Sequence, residues 1–139
     1  MNRDLFKIIH SELIREVQCV ENNLKIIYAA MLKGNFKSNL KSVEKMNLGK
    51  IARELEGLDN SDDMPEFTEE EYNTIDKIRE IRNYWCHQCY LDFMYIQNDY
   101  EREMAFQKVA ERLHYDEFRT NDLFEKTEKM RCFILEKYR

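Results

Sequence analysis

The chain has 139 residues, 43% of them apolar and 35% charged, with one proline, three glycines and a formal net charge of −5. That length suits one domain with its own core, and the composition excludes disordered, collagen-like and β-sandwich chains. The acidic balance argues against a general nucleic-acid coat, which works by releasing counterions from many Lys and Arg side chains.

The opening segment MNRDLFKIIHSELIREV carries charges every few positions. It holds neither the apolar stretch of a signal peptide nor the roughly 18 apolar residues needed to span a bilayer. A cytoplasmic protein is expected, with Cys19, Cys86, Cys89 and Cys132 as reduced thiols and no disulfide. Leu5, Ile9, Leu13, Val17, Val20, Leu24, Ile27 and Met31 recur at three- and four-residue steps. This spacing predicts a first helix over about residues 3–33, with Gly34 ending it in the left-handed conformation. Residues 35–46 give no clear pattern.

Asn47 is a plausible N-cap for a short amphipathic helix carrying Leu48, Ile51, Leu55 and Leu58. Charge is segregated here. From Lys33 to Arg53, Lys33, Lys37, Lys41, Lys45, Lys50 and Arg53 face Glu44 alone, whereas residues 54–71 carry nine acidic side chains and no basic one. A solvated basic face followed by an acidic loop is one reading, and a phosphate-attracting patch the other. The loop is expected over Asp59 to Phe67, around Pro65.

Thr68 opens the third helix: it can accept from a first-turn amide, Glu71 can reach back to it, and Phe67 can pack on Tyr72. This helix is expected to run to about Ile96, with a new cap at Asn98 and Asp99. Ala105, Phe106, Val109 and Leu113 mark a fourth helix, and Leu123, Thr127, Met130, Ile134 and Tyr138 continue the period to the C-terminus, either within the same helix or in a second one after an interruption near Tyr115 to Asp122. There is no repeat and no strand-like alternation, so an all-α antiparallel bundle of four to five helices follows, as a single domain over residues 1–139.

On the third helix Ile78, Ile81, Trp85, Cys89 and Ile96 fall on one stripe, which should face the core. Asn83, His87, Tyr90, Leu91 and Met94 lie roughly 120–220° away and include large apolar groups. A helix apolar on two sides wants two partners. The second is either the chain's own bundle, enclosing this helix, or another copy across a two-fold axis.

The run Arg82-Asn83-Tyr84-Trp85-Cys86-His87 resembles the motif of the HEPN superfamily: an arginine, commonly followed by a polar residue, then a short spacer and a histidine on a late bundle helix. Leu48-Gly49-Lys50-Ile51-Ala52-Arg53-Glu54-Leu55 is similar to the second-helix pattern of some members. The resemblance implies a metal-independent endoribonuclease with no cofactor, a composite site at a homodimer seam, and an antitoxin or regulatory protein as a further partner. It implies roles for three residues. His87 would exchange a proton at the 2′-hydroxyl or the leaving 5′-oxygen, as imidazoles titrate near working pH. Arg82 would grip the phosphate through a planar fork, and Asn83 would orient one of them. Arg79, Lys50 and Tyr90 are the candidates for further contacts with RNA. Tyr90 invites comparison with HEPN toxins silenced by nucleotide transfer onto a tyrosine two residues after the histidine; here it stands three residues after His87.

Plainer readings stand beside these. Arg82 can lie along the core stripe and pair with a glutamate, and His87 can be an interface histidine satisfied by a carbonyl. Cys86-His87-Gln88-Cys89 has a CxxC spacing but no second cysteine pair to complete a zinc site. His10 and His114 sit singly in helical segments. The aromatic run Tyr84, Trp85, Tyr90, Phe93 and Tyr95 can stack bases or fill a core. The sequence therefore supports two functions: a homodimeric HEPN-type ribonuclease, acting as a toxin or defence effector, or a non-catalytic HEPN-like module that binds a protein or nucleotide.

Overall fold

Asn2, Asn35, Asn47, Thr68 and Asn98 each stand one residue before a helix, and each side chain accepts an amide hydrogen bond from the first turn. The helices they start are α1 (Arg3–Met31), α2 (Phe36–Val43), α3 (Leu48–Asn60), α4 (Glu69–His87) and α5 (Asp99–Lys137), with a short 3-10 turn (Cys89–Asp92) after α4. This computed structural model describes residues 1–61 and 64–138; Asp62 and Asp63 of the expected acidic loop lie outside the described residues. Among the described residues there is no strand, and no helix is long and apolar enough to cross a membrane.

The bundle is all-helical, as the periodicity predicts. Successive helices run in opposite directions, so α1 and α5 lie side by side and parallel: Phe6 meets Phe106 at one end, and Asn23 bonds Thr127 farther along. The helix enclosed by the others is α1, which packs against α2, α3, α4 and α5. Its buried set includes Glu16, Asn23, Ile26 and Tyr28 beyond the single apolar stripe of the sequence. Leu5, counted in that stripe, is exposed, and Phe6 is buried in its place.

Two segments left open by the sequence are settled by the structure, and one boundary differs from expectation. Residues 36–43 form α2, a helix of only two turns whose Phe36 and Val43 are buried; so short a segment shows little periodicity. Of the two alternatives for the C-terminal segment the structure has the single helix: α5 runs unbroken through Tyr115 to Asp122 for 39 residues. Asp116 and Thr120 of that stretch face inward: both are buried, and Asp116 accepts a hydrogen bond from Trp85 Nε1 at 2.9 Å. The boundary that differs, the end of α4, shapes the candidate site.

α1 stops at Met31 with Leu32 as an extended C-cap, so Gly34 does not itself end the helix; two residues beyond the cap it takes φ +104°, the one positive φ among the described residues. A Cβ there meets no atom within 4 Å, so the penalty for a side chain is conformational alone. Gly34→Ala is expected to lower stability by about 1 kcal/mol, read as an earlier urea midpoint with an unchanged m-value.

Candidate functional site

Thr68 and Glu71 form the complete capping box at the start of α4, and Phe67 packs on Tyr72 with ring centroids 5.6 Å apart. Glu71 also accepts from Lys126 Nζ on α5 at 2.7 Å. Burial works to raise the Glu71 carboxyl, but the bonds from Lys126 and Thr68 outweigh it and hold the group below its ordinary range. One face of α4, with Ile75, Ile78, Ile81 and Trp85, enters the core as the stripe predicts. Cys89 is buried beyond it, and Ile96 is half-buried.

α4 stops at His87, about nine residues short of the expected end. In a continuing helix the Trp85 carbonyl would accept from the Cys89 amide. Here it accepts from His10 Nε2 of α1 at 2.7 Å and from the Cys89 thiol at 3.4 Å. His10 thus carries its ring proton on Nε2, and it is the histidine satisfied by a carbonyl. The chain folds into the 3-10 turn, where Asp92 accepts from Tyr84 Oη at 2.6 Å and from Gln88 Nε2 at 2.9 Å. These two bonds hold the Asp92 carboxyl below its usual range. Burial, then the bond to Asp92, pushes the Tyr84 phenol up. Phe93 then enters the core against Phe6 and Phe106.

The shortened helix redistributes the predicted site residues. Asn83 and His87 remain on one exposed side of α4, and His87 makes no hydrogen bond or ion pair among the described residues. Tyr90 does not join them. It lies past the helix end, where angular spacing no longer applies, and packs edge-on against Phe6 and His10 at 5.7 Å. As half-buried packing it is poorly placed to stack a base. Leu91 and Met94 are exposed.

Arg82 turns toward α1. Its Nη1 is 2.7 Å from Glu21 Oε1, its Nη2 is 3.5 Å from Asn83 Oδ1, and its side chain is 35% exposed. Within one chain Arg82 therefore contacts Asn83, while His87 stands more than a turn away toward the end of the bundle. Arg79 and Lys50 are exposed, Arg79 on α4 and Lys50 in the first turn of α3. The expected solvated basic face also exists: Lys33, Lys37, Lys41, Lys45 and Arg53 are exposed as well.

The cysteines of the CxxC spacing occupy different environments. Cys86 is exposed, whereas Cys89 is buried and its thiol is pushed up to about 11, chiefly by burial. All four cysteines are free thiols. Among the described residues no group of three or more His, Cys, Asp or Glu is arranged to hold a metal ion.

Sequence reasoning missed Glu21 and the carbonyl partner of His10. Nothing local marks either; each matters through a residue more than 60 positions away. Comparison with family models, with curated proteins and with solved structures finds no match to this chain.

Proposed function

We propose that the chain is a HEPN-type endoribonuclease whose site is completed by a second copy of itself. The observation that carries this reading is an accessible imidazole, His87, at the end of α4 beside an uncovered apolar surface. Leu5, Ile8, Leu91, Met94, Tyr95 and Tyr100 are all exposed at that end of the bundle, where the contacts of Phe6 with Phe93 and Phe106 bring α1, the 3-10 turn and α5 together. An exposed apolar surface of this kind is a usual mark of an interaction site. A two-fold axis there would pair the ends of two α4 helices and bring both sets of Arg82, Asn83 and His87 to one seam.

In the proposed reaction the RNA 2′-oxygen attacks its own phosphorus. A histidine accepts the 2′-hydroxyl proton, the bond from phosphorus to the 5′-oxygen breaks, and a proton is returned to that oxygen. The products are a 2′,3′-cyclic phosphate and a 5′-hydroxyl. Arg82, pre-set by Glu21, would exchange that carboxylate for the phosphate oxygens and stabilise the charge that develops on them.

A second reading has an observation of its own. The Arg82–Glu21 pair is complete without any ligand, which suits a non-catalytic helical module that binds a protein partner or nucleotide. One experiment separates the two. The protein, His87→Ala and Arg82→Ala are incubated with mixed tRNA and mRNA in EDTA, and the ends are analysed. Cleavage to cyclic phosphate ends by the native protein, reduced roughly a hundredfold or more in both variants, is the expected result. Equal activity in all three, or none in any, removes the nuclease and leaves the module. Growth arrest on expression, relieved by the same substitutions, is the counterpart expected of a toxin held by an antitoxin.

A further inference from the structure

On the flank where α1, α3 and α4 meet, three cations and one carboxylate line a common cleft. A cleft of about 250 Å³ is lined there by Glu21, Lys25, Asn47, Gly49, Arg79 and Arg82, among others. Glu21 answers Arg82 alone. Lys25 Nζ reaches a backbone carbonyl, that of Glu44, at 3.0 Å, and Arg79 makes no ion pair among the described residues. In a chain of net charge −5 this is a local reversal of sign. Like charges held around a concavity repel one another until an anion enters.

The floor of the cleft is backbone. Gly49 lies in the first turn of α3, and a Cβ built there would sit 3.5 Å from Asn47 Oδ1 and 3.9 Å from Arg79 Nη1. A side chain at this position would thus stand between the α3 backbone and the Arg79 guanidinium. The Asn47 side chain caps the Lys50 amide at 2.8 Å, which leaves the Leu48 and Gly49 amides with no acceptor inside the helix. A second cleft of about 370 Å³ shares Leu48, Gly49 and Arg79 and continues to Arg53, Asn83 and the carboxylates of Asp76 and Glu80, so the surplus of positive charge is confined to the first cleft.

We propose that this cleft binds a phosphate-class anion, a phosphoryl or pyrophosphoryl group held by Lys25, Arg79 and Arg82 over the open backbone at Gly49. The guanidinium forks and the ammonium supply charge-assisted bonds, and the absence of a side chain at Gly49 lets the anion approach the amides. Any sugar and base attached to the group extend into the adjoining cleft. A bound anion competes with Glu21 for Arg82. The site shares Arg82 with the proposed nuclease but not His87, and it rests on Lys25, Arg79 and Gly49, which that reaction does not use, so the two can be tested apart. The anion has two sources, a free polyphosphate or the phosphorylated end of an RNA.

Calorimetric titration at low ionic strength tests the site, with three ligands in separate arms: inorganic pyrophosphate, a 5′-phosphorylated 2′-O-methyl RNA oligomer, and its 5′-hydroxyl counterpart. Saturable binding is expected, weakened roughly tenfold or more in Lys25→Ala, Arg79→Ala and Gly49→Ala. It should be unchanged in Lys108→Ala, which removes an exposed cation from α5. Gly49→Ala decides the matter, because alanine is the better helix former and an unreduced melting temperature shows that weakened binding is not unfolding. Preference for the phosphorylated over the hydroxyl oligomer assigns the anion to an RNA end, and binding of pyrophosphate alone assigns it to a free polyphosphate. No saturable binding in any arm, or equal binding by the native protein and Gly49→Ala, overturns the proposal. Cleavage is scored separately, so RNA cut by a protein that binds no pyrophosphate removes the cleft site and leaves the nuclease. Pyrophosphate binding without cleavage does the reverse.

Discussion

Asp59→Ala is expected to destabilise the fold by about 4 kcal/mol. Asp59 is 1% exposed at the end of α3 and accepts three hydrogen bonds that close the chain onto α4. Its carboxylate takes the Glu66 amide at 2.8 Å, the Phe67 amide at 3.1 Å and the Tyr72 hydroxyl. Burial, then the bond to Asp59, pushes the Tyr72 phenol up. Truncation leaves several partly or fully buried donors without an acceptor, and each unmet donor costs roughly 1–3 kcal/mol. Against a total stability of roughly 5–15 kcal/mol, the melting temperature should fall by about 10 °C or more. Tyr72→Phe, which leaves the two amides bonded, should cost only about 1–2 kcal/mol. Urea denaturation followed by circular dichroism measures both. A loss below about 1 kcal/mol in Asp59→Ala would show that the interhelix loop is not held by this carboxylate.

Stability should also decline steadily from pH 5 to pH 9. Glu16 is 2% exposed, and its Oε2 has no hydrogen-bond partner. Burial first, and Glu117 of α5 second, push its carboxyl from 4.5 up to about 8. From α1, Arg15 opposes the shift and Glu12 adds to it. The sign follows from linkage: the unfolded chain releases this proton near 4.5 and the folded one near 8, so folding takes up a proton between those values. The contribution is intact below the lower value, is lost progressively across the interval, and is gone above the upper one. At about 1.4 kcal/mol per unit, the loss between pH 5 and pH 8 amounts to about 3–4 kcal/mol. Glu71, held low by Lys126, acts in the opposite sense and is lost only as the solution becomes more acid. Glu16→Gln should flatten the decline and raise stability at pH 9. Urea midpoints at pH 5, 7 and 9 that run parallel in the native protein and Glu16→Gln would exclude this account.

Much of the fold was legible because the signals were local. Asn47, Thr68 with Glu71, and Asn98 all cap the helices they were expected to start. A cap depends on residues within one turn of it, so a sequence window contains the whole interaction. The inward stripe of α4 through Ile78, Ile81 and Trp85 was equally readable, because burial of an amphipathic face follows the helical period.

Other features were not local and could not be read that way. α4 ends where it does because a histidine 75 residues earlier takes the Trp85 carbonyl and Asp92 gathers Tyr84 and Gln88. This turns Tyr90 from an outward candidate into packing against Phe6. α5 continues through a polar stretch because Trp85 gives Asp116 a buried partner. The orientation of Arg82 was decided by Glu21, and the cleft it shares with Lys25, Gly49 and Arg79 exists only once α1, α3 and α4 are packed.

By itself, then, the sequence determined the helical class, the starts of α3, α4 and α5 and the face of α4 that is buried, since each of these depends on residues a turn or two apart. Only the tertiary structure decided which helix is enclosed, where α4 stops and what surrounds Arg82, since those depend on pairings between side chains far apart in the chain.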